Sequence, residues 1–122
     1  MKSFTTIEQS LELAKFLPKE SADMVYLLWP TKGYLLTVLT QENITDVDNT
    51  DILCWSMRAL MQVLPPVYTD KDGNDLYLTI RKTELWSMGY EHGLERDLWQ
   101  YGHEPVDMLY NLIIELHKRE IL

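Results

Sequence analysis

Residues 67–82 read VYTDKDGNDLYLTIRK, and this stretch decides the fold class. Leu76, Leu78 and Ile80 alternate with Tyr77, Thr79 and Arg81, the period of a strand with one buried face. Val67–Thr69 lies on the other side of Asp70-Lys71-Asp72-Gly73-Asn74-Asp75. An Asp-Gly pair between such runs is a strong hairpin signal. The same six residues faintly suggest a calcium loop, but the later glutamate is missing and the glycine stands too early. Leu85–His92 reads as the returning strand after Thr83-Glu84. Gly93–Glu104 shows no regular period and reads as an irregular segment.

Upstream, Asp23–Trp29 and Tyr34–Thr40 read as a second strand pair, with Pro30-Thr31-Lys32-Gly33 as turn chemistry. Three helices punctuate the pairs. Thr5-Thr6-Ile7-Glu8-Gln9 is a helix start with a capping box, followed by Ile7, Leu11 and Ala14 at helical spacing, with Leu13 and Phe16 widening the face. Pro18 stops that helix near Phe16. A middle helix falls between Ile52 and Leu64. Its stripe is Leu53, Met57, Leu60, Met61 and Leu64, its cap Ser56 or Asp51, and Pro65-Pro66 ends it. Pro105 opens the last helix, with Asp107 in its first turn and Lys118-Arg119 in its last, matching the macrodipole. Val106, Leu109, Ile113 and Leu116 form its inner stripe, broadened by Met108, Leu112 and Tyr110. The order α-β-β-α-β-β-α predicts an α+β two-layer domain, an antiparallel sheet of about four strands packed by helices.

The chain has 122 residues, 46% of them apolar, which suits one domain over 1–122 with a single core. The single cysteine, Cys54, cannot close an intramolecular disulfide and fits a reducing compartment. Met1–Phe16 lacks the apolar segment of a signal peptide, and no run approaches the ~20 apolar residues of a membrane span. The expectation is a cytoplasmic protein with no membrane contact. The net charge is −8, and the basic residues are scattered, so direct nucleic-acid binding is not expected.

No spacing of polar residues spells out a reaction: there is no phosphate loop, nucleophile elbow or His-x-x-x-His. Glu91-His92 and His103-Glu104 flank one segment and are chemically adequate metal ligands. Neighbours on a strand face opposite ways, however, so loop histidines are the expectation. His117 suits a helix C-terminus. Glu42, Asp46, Asp48 and Asp51 lie in the polar stretch 41–51 and read as a solvated loop, not a cation site. Cys54, between Leu53 and Trp55, reads as buried and inert. No cofactor and no metal is expected.

The aromatic load is heavy, with Trp29, Trp55, Trp86 and Trp99 among four tryptophans and seven tyrosines. Trp99 and Tyr101, in the least regular segment, are the foremost candidates for exposed interaction residues, with Trp86 and Tyr90 beside them. An apolar last helix also leads to the expectation of a homodimer.

Three segments carry a resemblance. They are Thr6-Ile7-Glu8-Gln9-Ser10 leading to Ser21-Ala22-Asp23-Met24; Cys54-Trp55-Ser56 with Ala59-Leu60 and Leu64-Pro65; and Pro105–Leu122. In this order, over nearly the whole chain, they resemble a family of small uncharacterised proteins of gut anaerobic bacteria, often encoded in prophages and other mobile elements. The resemblance implies structural jobs: Thr6 as a cap, Asp23-Met24 starting a strand, Trp55-Ser56 starting the middle helix and Leu64-Pro65 ending it. Leu53 stands where the family has a proline. It implies no activity and no catalytic residues. The functional expectation is a non-enzymatic accessory protein that binds an unknown protein partner. The alternatives are an acidic nucleic-acid mimic in the DNA site of a host protein, and a small-molecule-binding domain.

Overall fold

Thr6 begins the first helix as expected. Its hydroxyl accepts from Gln9 N–H (3.1 Å), and the Gln9 side chain accepts from Thr6 N–H (3.0 Å), closing a capping box. In the computed structural model, residues 1–29, 31–40, 47–48 and 50–122 are described. Pro30 of the first turn and residues 41–46 of the polar stretch, Glu42 and Asp46 included, lie outside them.

The fold is α+β. Helices α1 (Ile7–Ala14), α2 (Met57–Val63) and α3 (Pro105–Lys118) accompany two antiparallel sheets. The strands are β1 (Met24–Trp29), β2 (Gly33–Val38), β3 (Ile52–Cys54), β4 (Val67–Thr69), β5 (Asp75–Lys82), β6 (Trp86–His92) and β7 (Glu95–Gly102). Their spatial orders are β2-β1-β3 and β4-β5-β6-β7. The expected hairpins β1–β2, β4–β5 and β5–β6 are present, but the strands exceed four and divide between two sheets.

Two segments account for the difference. Ile52–Cys54 is a strand, not the first turn of the middle helix. It pairs with Met24–Tyr26, which leaves Ser56 to cap α2 by accepting from Ala59 N–H (3.2 Å). Asp23 fixes that corner, its carboxylate accepting from both the Ser56 N–H and the Ser56 hydroxyl. Residues 95–102 are a full strand, not an irregular segment. A two-residue turn joins it to β6, with Gly93 at φ 60 in the first central position, as a type II′ hairpin requires.

The core lies between the inner face of the four-stranded sheet and the helices. Leu76, Met88 and Tyr90 from the sheet meet Val106, Leu109, Leu112, Ile113 and Leu116 of α3, with Leu60, Leu13 and Trp55 completing the cluster. The inner stripe of α3 is as expected, and it is covered by the chain itself, so the helix does not supply the anticipated dimer surface. In α1 the buried residues are Ser10 and Leu13, whereas Leu11 and Ala14 face water. Ser10 turns inward because it bonds Thr5 (2.7 Å), whose hydroxyl also accepts from Trp55 N–H (3.2 Å). Among the described residues no helix is long and apolar enough to cross a membrane.

The capping box also couples α1 to α3, since the Gln9 amide donates to Asp107 (2.8 Å). Thr6→Ala removes the cap acceptor and is expected to cost about 1 kcal/mol, whereas Thr6→Ser keeps it. Thermal unfolding of the two variants checks this. Equal melting temperatures for Thr6→Ala and the parent would show that the cap does not hold this end.

Candidate functional site

The outer face of the four-stranded sheet is built by strand alternation. β5 contributes Tyr77, Thr79 and Arg81; β6 contributes Ser87, Gly89 and Glu91, opposite them in register. β7 contributes Arg96, Trp99 and Tyr101. Arg96 and Trp99 are an odd number of residues apart, which an even strand would send to opposite faces. A register shift opposite Gly89 places the extra residue, and Leu98 takes φ 57 there. The bulge re-aims the second half of β7 so that Trp99 and Tyr101 join Arg96 on one side.

Trp99 lies down across Gly89. A Cβ on Gly89 would stand 2.8 Å from Trp99 Cα and 3.0 Å from its Cε3, so only glycine leaves room for the indole. Two guanidinium groups flank the ring: Arg96 at 4.3 Å from its centroid and Arg81 at 5.7 Å. Glu91 accepts from both arginines, from Arg96 Nε at 3.3 Å. Arg96 also donates to the Tyr101 hydroxyl (3.3 Å), and the Tyr101 ring meets Trp99 edge-on at 6.4 Å. The indole Nε1 is buried and has no acceptor among the described residues.

This arrangement can bind. Each stacked guanidinium contributes about 0.5–1 kcal/mol at such exposure, enough to hold its orientation. The arginine side chains are still 52% and 44% exposed, so donors remain for a partner, while Glu91 is 15% exposed. Tyr101 is 64% exposed and stands beside them.

The four aromatic candidates therefore separate. Trp99 and Tyr101 share this face. Trp86 is half-buried on the inner side, packed against the core, with Lys82 over its ring at 5.9 Å. Tyr90 leaves the surface altogether. It is fully buried because it shares the inner parity of Met88, its hydroxyl donates to Pro65 O (2.7 Å), and burial pushes its pKa up.

The histidines do not converge. His92 and His103 stand at opposite ends of the β6–β7 hairpin, about 20 Å apart at the usual rise per residue. His92 Nδ1 meets Asp75 O (3.1 Å), and His117 stacks on Phe16 at 3.7 Å. Glu104 accepts from Lys2 N–H (2.9 Å). Asp48 and Asp51 serve their own backbone: Asp48 accepts from Thr50, and Asp51 from Leu28 N–H and Asp48 N–H. No group of three or more metal-ligating side chains forms among the described residues. Cys54 is fully buried, and that burial pushes its thiol pKa up, the opposite of an activated nucleophile.

A second feature lies where α3 ends. Arg119 donates to Asp97 at 2.6 and 3.3 Å and to the Tyr68 hydroxyl at 3.2 Å. The bidentate pair holds the Asp97 carboxyl below its usual range. A cleft of about 740 Å³ opens there, lined by Tyr68, Asp70, Lys71, Glu95, Asp97 and Arg119 among others.

The alternation of residues 76–81 sets Arg81 opposite the apolar face, but nothing in the sequence marks Glu91, Arg96 and Gly89 as its companions. The available signal was Gly93 as a turn residue, which makes residues 95–102 a strand. No protein-family model, curated protein or solved structure matches the chain.

Proposed function

We propose that the chain is a non-enzymatic accessory protein that binds another protein through the outer face of its four-stranded sheet. Its resemblance to proteins of prophages and other mobile elements supplies the setting. The observation that carries the reading is Trp99, laid over Gly89 and held between Arg81 and Arg96, with Tyr101 exposed beside it. Tryptophan, tyrosine and arginine are the residue types that dominate binding hot spots. The buried indole N–H, which has no acceptor among the described residues, supports it too, since an unmet donor costs about 1–3 kcal/mol and marks a place where structure serves something other than stability.

The test is affinity capture of the tagged protein from its host. Tyr101→Ala is expected to weaken the captured partner by about 2 kcal/mol, roughly thirtyfold, while shifting stability by less than about 0.5 kcal/mol. A partner retained in full by the folded variant would remove this face from the reading. Capture that is lost in moderate salt, with arginine variants leaving it unchanged, would favour the acidic nucleic-acid mimic, because exposed charge contacts are screened.

The cleft beside Arg119 supports a second reading, a small-molecule site. Its size suits one, and Arg119, Tyr68 and Asp97 supply converging polar groups. A small molecule that raises the melting temperature of the parent but not of Arg119→Ala would move the assignment there.

A further inference from the structure

Arg81, Glu91 and Arg96 leave a hydrogen-bonding imbalance on the outer face of the four-stranded sheet. Two guanidiniums share one carboxylate, since among the described residues Glu91 is the acid bonded to either. A guanidinium carries five N–H donors and no acceptor. Arg81 bonds Glu91 through Nη2. Arg96 gives Glu91 its Nε–H and gives the Tyr101 hydroxyl an Nη1–H. The phenol oxygen thus serves as an acceptor and keeps its own O–H to donate. Asp75, the next acid of this face, accepts from the Thr69 hydroxyl (2.7 Å). Glu91 is mostly buried, whereas the two arginines are about half exposed. A partner therefore meets donors around a positive pair, and their complement is a negatively charged acceptor.

Two observations decide what kind of anion. The first is the seat of Trp99. Its indole rests on Gly89 and carries Arg96 over its ring at 4.3 Å, so its faces are taken and no base stacks on it. Single-stranded nucleic acid is held by such stacking and by a basic groove that tracks its backbone. Two guanidiniums that share a carboxylate, in a chain of net −8, make no such track. A single carboxylate fits them instead. The second observation is a groove of about 430 Å³ at the β5–β6 turn, lined by Thr83, Glu84, Leu85, Ser87 and Tyr101. Arg81, Ser87 and Tyr101 form one cross-strand row, so the groove opens beside the arginine pair. Leu85 and Tyr101 are exposed and give it apolar walls, while Glu84 repels a second acid there. Ser87 marks the groove and Glu91 the guanidiniums. They lie four residues apart on β6, about 13 Å at the usual rise.

Taking this face as the docking surface, as above, we propose that it binds an extended segment of the partner protein carrying an acid and an apolar residue. The Asp or Glu side chain meets Arg81 and Arg96. The apolar side chain, about four residues away along the extended segment, enters the groove beside Tyr101.

The probe is a random peptide library displayed on phage and panned against the full chain. Enriched peptides are expected to share an acid and a bulky apolar residue at that spacing. A labelled peptide of this kind is expected to lose about tenfold in affinity when its acid is exchanged for the amide. Arg81→Gln is expected to cost about as much, the scale of one charge-assisted hydrogen bond. The amide exchange leaves the protein untouched, so it decides the matter if Arg81→Gln does not fold. Enrichment of peptides without an acid overturns the proposal, as does no enrichment at all. So does an amide peptide that binds as tightly as the acid, or labelled oligothymidine bound more tightly than the peptide. Tyr101→Ala judges the docking face separately. Peptides and a host partner that need Tyr101 but ignore a folded Arg81→Gln leave the face standing and end its choice of an acid. A host partner indifferent to Tyr101→Ala ends both.

Discussion

Trp55→Ala is expected to lower the unfolding free energy by about 4 kcal/mol, the scale of a large aromatic removed from a sealed core. Trp55 is fully buried and belongs to the main cluster. It stands where β3 passes into α2, and two other parts of the chain bond to it. Its indole N–H donates to the Ser21 hydroxyl (2.9 Å), its backbone N–H to the Thr5 hydroxyl (3.2 Å), and its carbonyl accepts from Thr5 N–H (2.9 Å). The backbone bonds survive substitution, so the cost falls on packing and on one hydrogen bond. Trp55→Phe separates them: it fills most of the volume and loses only the indole donor, at about 1–1.5 kcal/mol. Ser21 keeps its own bond to Pro18 O (2.6 Å) and is not stranded. A total stability of about 5–15 kcal/mol is usual, so the alanine variant approaches the unfolding threshold. Urea unfolding checks both, with an expected midpoint loss of roughly 2–3 M for an m-value of about 1.5 kcal/mol/M. Equal losses for alanine and phenylalanine would show that the hydrogen bond, not the packing, holds this corner.

How far the fold could be read beforehand depended on whether its signals were local. Thr6 with Gln9, Pro105 ahead of an apolar stripe, and Asp72-Gly73 between alternating runs each act within a few residues, and each element formed where expected. β3 was hidden because three residues give no period; Ile52–Cys54 is a strand only because Met24–Tyr26 lies alongside. β7 was hidden by its bulge, which breaks the alternation that marks a strand. The Trp99 face was therefore half legible. Trp99 and Tyr101 stood out as aromatics in an unassigned segment, but their companions Arg81, Glu91 and Arg96 come from three strands, and only the register unites them. Tyr90 was misplaced for a simpler reason. It is two residues from Met88 on an even strand, and its parity sends it to the core. The dimer expectation rested on α3, whose apolar stripe the chain itself consumes. Among the described residues, Leu28, Trp29, Tyr34 and Leu35 of the β1–β2 pair are exposed apolar side chains instead.

Gly89→Ala is expected to cost about 3 kcal/mol, although it adds one methyl group to the solvent side of a sheet. Surface substitutions usually fall within about 0.5 kcal/mol, so the prediction depends wholly on local geometry. Gly89 sits at φ 155, a conformation that side chains rarely adopt. The added carbon would stand 2.8 Å from Trp99 Cα and 2.9 Å from Leu98 O. These are backbone atoms of a bulged strand, so relief requires β7 to move away from β6. Overpacking of this kind costs about 1–3 kcal/mol, and sparsely populated backbone adds about 1–3 more. Gly102 is the control within the same hairpin. A Cβ there meets only the flexible Met108 side chain, at 3.2 Å from Sδ, so Gly102→Ala is expected to cost less than about 1 kcal/mol. Displacing β7 also lifts Trp99 from its seat between Arg81 and Arg96, so Gly89→Ala is expected to weaken the partner captured by the parent protein even where the variant stays folded. Urea unfolding gives the first quantity, and near-ultraviolet circular dichroism reports whether the indole environment has changed. A Gly89→Ala variant as stable as Gly102→Ala, with its tryptophan signal unaltered, would mean that the bulge yields freely and that glycine is not what seats the ring.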